Sequence, residues 1–168
     1  MKKEKWNSSD KAAEKLKISD FGNIDQIKDM AKMENKIDTY NQAREFLSSL
    51  VGQQLISRSG LRAVISKKSI EKILSTKSVD NSYNYKVHLL AAGNIDKLYS
   101  NAIEPWIFEM NPNRNNDSLL SIHRLFAPIE FDEQIAIVKI TVKRMKNPKD
   151  GNRIYTIKAL DVFLEIKK

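Results

Sequence analysis

Read by the spacing of its apolar residues, the chain divides into a first half patterned at intervals of three and four and a second half patterned at two. Ile24, Ile27, Met30, Ala31, Ile37, Tyr40, Ala43, Phe46, Leu47 and Leu50 recur at helical intervals with charges between them. That spacing predicts one amphipathic helix, or two with a break near Met33 to Lys36. Its apolar stripe is core or a partner-facing surface and carries no chemistry. The run "LVGQQLISRSGLRAVIS" reads as a hairpin with Gly60 supplying the turn. "KKSIEKILS" predicts a short helix capped by Ser66 or Ser69, with Ile70, Ile73 and Leu74 inward. After "TKSVDNSYN", read as a connection, "YKVHLLAAGNIDKLYSNA" predicts a longer helix in which Gly93 marks close packing against a neighbour.

The segment "IEPWIFEMNPNRNNDS" breaks every period and reads as a long loop. Beyond it the period is two, and three strands follow over 122–131, 134–145 and 153–165, joined by tight turns at Asp132–Glu133 and in "KNPKDGN". Helices first and strands last predict an α+β fold, with helices packed on one face of an antiparallel sheet. Residues 1–20 are rich in lysine and poor in apolar groups, so they read as a solvated basic leader or linker, dispensable for folding. Residues 21–50 then form the amphipathic helical segment and 51–168 the α+β domain.

Within the second strand the alternation has a chemical consequence. Val138, Ile140 and Val142 turn to the helices, and Lys139, Thr141 and Lys143 turn away. These three sit roughly 7 Å apart, close to the spacing of successive phosphates. Thr156 and Lys158 continue the row on the next strand. Lysine and threonine are also ordinary residues for an exposed sheet face. Composition tilts the balance: 29 Lys and Arg against 21 Asp and Glu give a formal charge of +8, which suits polyanionic partners. Cysteine is absent, and the two histidines, His88 and His123, complete no metal-ligand pattern. No apolar run approaches the roughly 18 residues needed to span a bilayer, so no membrane partner is expected.

The segments "KSIEKILSTKSVDNS", "HLLAAGNIDKLYSNA", "SIHRLFAPIEFD" and "VKITVKRMKNPKDGNRIYTIKALDV" resemble a domain of large phage, plasmid and mobile-element (polyvalent) proteins grouped with the barnase/EndoU/colicin/RelE superfold of nucleases. The resemblance covers about Val51 to Glu165 and is strongest in "HRLFAP" and "IYTIKALDV". It implies helices followed by an antiparallel sheet of about four strands, with RNA, tRNA or rRNA included, bound on the open sheet face and cut without metal or cofactor. It also implies toxin or effector-type work in the cytoplasm, or delivery there within a larger protein, with an immunity or antitoxin protein as partner.

Metal-free RNA cleavage needs a base for the 2′-hydroxyl proton, cations for the charged phosphorane and an acid for the departing oxygen. His123 is the expected base or acid. Lys139, Lys143 and Lys158 would hold phosphate, and Thr141 would add a hydrogen bond. Arg124 follows His123 directly, so it shares that face only if a bulge intervenes, and would then clamp phosphate. His88 is either a second proton-transfer group or a packed helix histidine, and Tyr155 either stacks a base or fills the core. Two other classes stay open. One is a nucleic-acid-binding sheet face without cleavage. The other is an interaction module that presents the helix of residues 24–50 to a protein partner.

Overall fold

The computed structural model describes residues 9–106, 119–145 and 151–165. Most of the loop expected over 103–118, the turn at 146–150 and residues 1–8 lie outside them. A helical turn at 9–13 leads to α1 (Ile18–Phe21), α2 (Ile24–Ala31), α3 (Tyr40–Ser49), β1 (Gln54–Ile56) and β2 (Arg62–Val64). Then come α4 (Lys67–Ile73), α5 (Thr76–Asn81), α6 (Tyr85–Ala92), α7 (Ile95–Asn101), β3 (Leu119–Phe131), β4 (Gln134–Met145) and β5 (Asn152–Leu164). The class is α+β. Among the described residues the sheet has five strands in the order β1-β2-β5-β4-β3 and is mixed, because β2 runs parallel to β5 at Val64 and Arg153. The expected all-antiparallel sheet is thus corrected at one joint, which local spacing cannot reveal because the partners lie far apart in the chain.

Capping residues set the helix starts. The side chains of Asn23, Thr39, Ser66 and Ser75 accept backbone N–H groups at the openings of α2, α3, α4 and α5. The helical stripe of 24–50 breaks into α2 and α3, as its spacing allowed. The segment read as a connection contains α5, for which Ser75 is the cap. The helix expected over 85–102 divides at Gly93, where a Cβ would lie 2.2 Å from Cγ1 of Ile37. Asn35 and Asn94 lock that approach: the Asn35 N–H donates to Asn94 Oδ1 at 3.0 Å, and Asn94 Nδ2 donates to the Asn35 carbonyl at 3.0 Å. Gly93→Ala is expected to lower stability by about 1–3 kcal/mol through overpacking, measured by urea unfolding. An unchanged midpoint would show that Ile37 moves aside freely.

One sheet face carries the main core. Leu125, Ala127 and Ile129 of β3, Val138, Ile140 and Val142 of β4, and Ile154, Ile157 and Ala159 of β5 pack with Leu47, Ile73, Val87 and Leu98 from the helices. Ala43 and Leu47 of α3 and Leu50 at its end belong to this core, while Tyr40 at its start stays exposed. The opposite face is also covered. Phe126, Ile137, Leu160 and Leu164 meet Ala13, Leu16, Phe21, Ile27 and Ala31 in a second cluster. The expectation of a solvated leader is therefore corrected for its described part. Ala13 and Leu16, three apart, lay one side of the first turns on the sheet, and Phe21 anchors them with no exposed surface. Burying such side chains contributes about 1.5–3 kcal/mol each for the larger ones, enough to order a short segment. Among the described residues no helix is long and apolar enough to cross a membrane.

Candidate functional site

The hairpin β3–β4 closes through Asp132 and Glu133, both at positive φ, and its register decides which predicted residues meet. Arg124 lies opposite Thr141, and His123 opposite Val142. The bulge in this pair falls between Leu119 and Ser121, before His123, so the two neighbours stay on opposite faces. It is Arg124 that joins the polar row, while His123 shares the face of the main core with Leu125. The site centred on His123 and the lysine row is corrected accordingly: strand alternation separates them by the thickness of the sheet.

His123 Nδ1 donates to Glu104 Oε2 at 2.6 Å, and its Nε2 lies 3.0 Å from Ser121 Oγ, which donates to it when the ring is neutral. The order hydroxyl, imidazole, carboxylate is that of a hydrolytic triad. Ser121, however, has no exposed surface. His88 is withdrawn from chemistry. Its Nε2 donates to the Ile73 carbonyl at 2.7 Å, Ser82 Oγ donates to its Nδ1 at 2.6 Å, and Ser82 Oγ accepts the Ala159 N–H at 2.8 Å. Both ring nitrogens are occupied inside the core, and burial holds the imidazole below its ordinary pKa, only partly countered by the bond to Ile73. Of the two readings left open, the packed helix histidine is the one observed.

The second face carries paired rows. Lys139 lies opposite Lys158, Thr141 opposite Thr156, and Lys143 opposite Arg153. A bulge beside Thr141 adds Tyr155 to β5, which lets Ile154 and Ile157 both face the core while Tyr155 leans over the rows. Between this face, α5 and the end of α4 lies a cavity of about 500 Å³. Arg124, Lys139, Thr141, Thr156 and Lys158 line it from the sheet, and Lys72, Lys77 and Ser78 from the helices. The expected open platform is thus a recess: Arg124 is 2% exposed, Thr141 5% and Lys139 8%. Ser78 Oγ and Thr156 Oγ1, 2.9 Å apart, tie α5 to β5 at its wall.

Among the described residues, five basic side chains line this cavity against one carboxylate, Asp10. Asp10 Oδ1 accepts from Lys139 Nζ at 2.5 Å and its Oδ2 accepts from Lys158 Nζ at 2.6 Å. Burial alone would raise the Asp10 pKa, but the Lys139 and Lys158 ammonium groups outweigh it and hold the carboxyl below its ordinary value. Burial pulls the Lys139 ammonium below the usual lysine range, with Lys158 and Arg124 adding to the effect and Asp10 offsetting part of it. Asp10 is hidden from sequence reading because its segment is rich in lysine and reads as solvated. Only the apolar pair Ala13 and Leu16 signals that it docks.

Residues 34–155 match the family described as large polyvalent protein-associated domain 3. The chain belongs to that family. Neither a curated protein nor a solved structure matches it. The polyvalent-protein context expected from the sequence is therefore shown. Most of the cavity falls in the matched span of the polyvalent protein-associated domain: Lys72, Ser78, Arg124, Lys139, Thr141 and Tyr155 are inside it. Thr156, Lys158 and Asp10 lie beyond the span. Among the described residues no group of three or more His, Asp or Glu side chains could hold a metal ion.

Proposed function

We propose that this polyvalent-protein domain binds the phosphodiester backbone of nucleic acid, RNA foremost, in the cavity lined by Arg124, Lys139, Thr141, Thr156 and Lys158. The observation that carries the reading is the convergence of five cations and two threonine hydroxyls on one recess that holds, among the described residues, a single carboxylate. The Arg124 guanidinium lies deep in that recess at 2% exposure, and a pair of phosphate oxygens matches the fork of such a group. The Asp10 carboxylate, bridging two ammonium groups, occupies the position in which two phosphate oxygens would be held.

Metal-independent RNA cleavage, the activity of the nuclease superfold that the sequence resembles, is the second reading, and one observation favours it here. Burial moves Lys139 toward its neutral amine beside Arg124. A neutral Lys139 amine takes the 2′-hydroxyl proton, and the 2′-oxygen bonds to phosphorus as the P–O5′ bond breaks. A 2′,3′-cyclic phosphate and a 5′-hydroxyl result, the latter receiving its proton from the Lys158 ammonium. Arg124 and Thr141 carry the charge gathered on the phosphorane. His123 has no part in this scheme.

The test is titration of a labelled RNA strand at several salt concentrations, with a parallel incubation in excess EDTA and sizing of the products. The parent is expected to bind with steep salt dependence. Arg124→Lys and Lys158→Gln should each weaken binding by about tenfold, the loss of one charge-assisted hydrogen bond, while His123→Gln leaves it unchanged. Affinity insensitive to salt and to both cavity variants would overturn the phosphate site. Intact RNA under every condition would remove the second reading alone.

A further inference from the structure

Beside the main recess lies a second one, of about 370 Å³, between the start of α4 and the far ends of β4 and β5. Lys68, Lys72, Lys143 and Arg153 line it, and among the described residues no carboxylate does. Lys72 and Tyr155 line both recesses and form the wall between them. The Lys143 ammonium stands 3.6 Å from the centre of the Tyr155 ring and that of Lys72 5.5 Å from it. The ring thus holds two cations at the divide without neutralising either.

The strand register places these groups on one line. The pairs Lys139–Lys158, Thr141–Thr156 and Lys143–Arg153 follow one another down the same face. At two residues per step they are spaced by about 7 Å, and the line from first to last spans about 13 Å. Asp10 compensates the first pair, at one end of that line. A lone phosphate or a mononucleotide would use one level and leave the others facing water. A chain of phosphates would use all three.

We infer that the second recess is a separate phosphate subsite, and that the two recesses together take a single-stranded polynucleotide segment running along β4 and β5 past Tyr155. This rests on the phosphate reading of the first recess and adds the substrate's form and its path. A single strand fits because Lys139 at the first level and Arg124 in the same recess are sunk below the surface, where a flexible backbone can descend and the stiff ridge of a duplex cannot. Tyr155 stands where a base between the two phosphates would lie, so a stacked base would replace the Lys143 ammonium over the ring and release it to the phosphate.

The inference is tested with the full chain, by fluorescence anisotropy competition using uridine monophosphate, oligouridylates of two, four and eight nucleotides, and a duplex of matched length. Affinity should step upward by more than tenfold between the monophosphate and the four-nucleotide strand. Lys68→Gln with Arg153→Gln should remove most of that step and reduce the salt slope by about 0.7 for each phosphate no longer neutralised, while monophosphate binding stays as in the parent. Tyr155→Phe should retain the step and Tyr155→Ala shorten it. A monophosphate that binds as tightly as the long strands would overturn the second subsite and leave the first intact. Duplex binding equal to single-strand binding, with the same sensitivity to Lys68 and Arg153, would overturn the single-strand assignment. If no phosphate compound binds, the phosphate reading itself fails.

Discussion

Asp10→Asn is expected to destabilise the protein by about 1–3 kcal/mol in a chloride buffer, and phosphate or an RNA strand is expected to restore more of that loss than it adds to the parent. The loss follows from geometry. Lys139 is 8% exposed, and Asp10, which accepts from its ammonium at 2.5 Å, offsets part of the burial that pulls the lysine below its usual range. Removing one partner of a largely buried pair leaves the other charge uncompensated, and the side-chain exposure of Asp10, 22%, keeps the cost below that of a fully buried pair. Restoration follows from the same imbalance of charge, since Lys139 and Lys158 would then hold an external anion. Melting temperatures with phosphate against chloride at equal ionic strength, and RNA affinity of the two proteins, give the comparison. RNA affinity should rise by about tenfold in the variant, as an internal competitor is removed. A variant that gains no more from phosphate than the parent does would sink the view of Asp10 as an occupant of the phosphate position.

The same pair has a pH signature. Asp10 has a folded-state pKa below its unfolded value, so its contribution is fully present above about pH 4 and is lost as pH falls through the folded value. Asp10→Asn should flatten that part of the acid unfolding profile and lower the neutral plateau by the same loss of about 1–3 kcal/mol, without changing the slope there.

The second large effect is expected at His88. Its substitution by Ala should cost about 3–5 kcal/mol, because it opens a cavity in the core and strands the Ile73 carbonyl and the Ser82 hydroxyl. His88→Phe separates the two causes: it fills the volume and still loses the hydrogen bonds, so it should fall between the parent and His88→Ala. The imidazole is neutral when folded and its pKa is lowered by burial. The unfolded chain therefore takes up a proton first as pH falls below about 6.5, and stability declines from there toward the folded pKa. Both variants should lose that slope, as read from urea midpoints between neutral and mildly acid pH. A slope retained in both would assign it to other groups, and a cost below about 1 kcal/mol would show that the network does not hold the core together.

The alternation of Val138, Ile140 and Val142 with Lys139, Thr141 and Lys143 was legible because a strand's period of two is a local property. So were the hairpin at Gly60 and the break within residues 24–50, set by neighbours in the chain, whereas the division of the helix at Gly93 and the helix at 76–81 were not read from it. The partnership of Arg124 with that row, to the exclusion of His123, needed the β3–β4 register, for which one residue's shift exchanges the faces. The parallel joint of β2 to β5 and the packing of residues 9–16 on the sheet join positions about 90 and more than 100 residues apart. Asp10 reaches Lys139 across 129 residues, and nothing in its own surroundings in sequence marks it as a counter-ion. The sequence by itself determined which residues could present a cationic row and on which strands. Only the tertiary structure decided that helices on both faces turn the row into two recesses, because burial and charge pairing depend on distances that chain spacing does not contain.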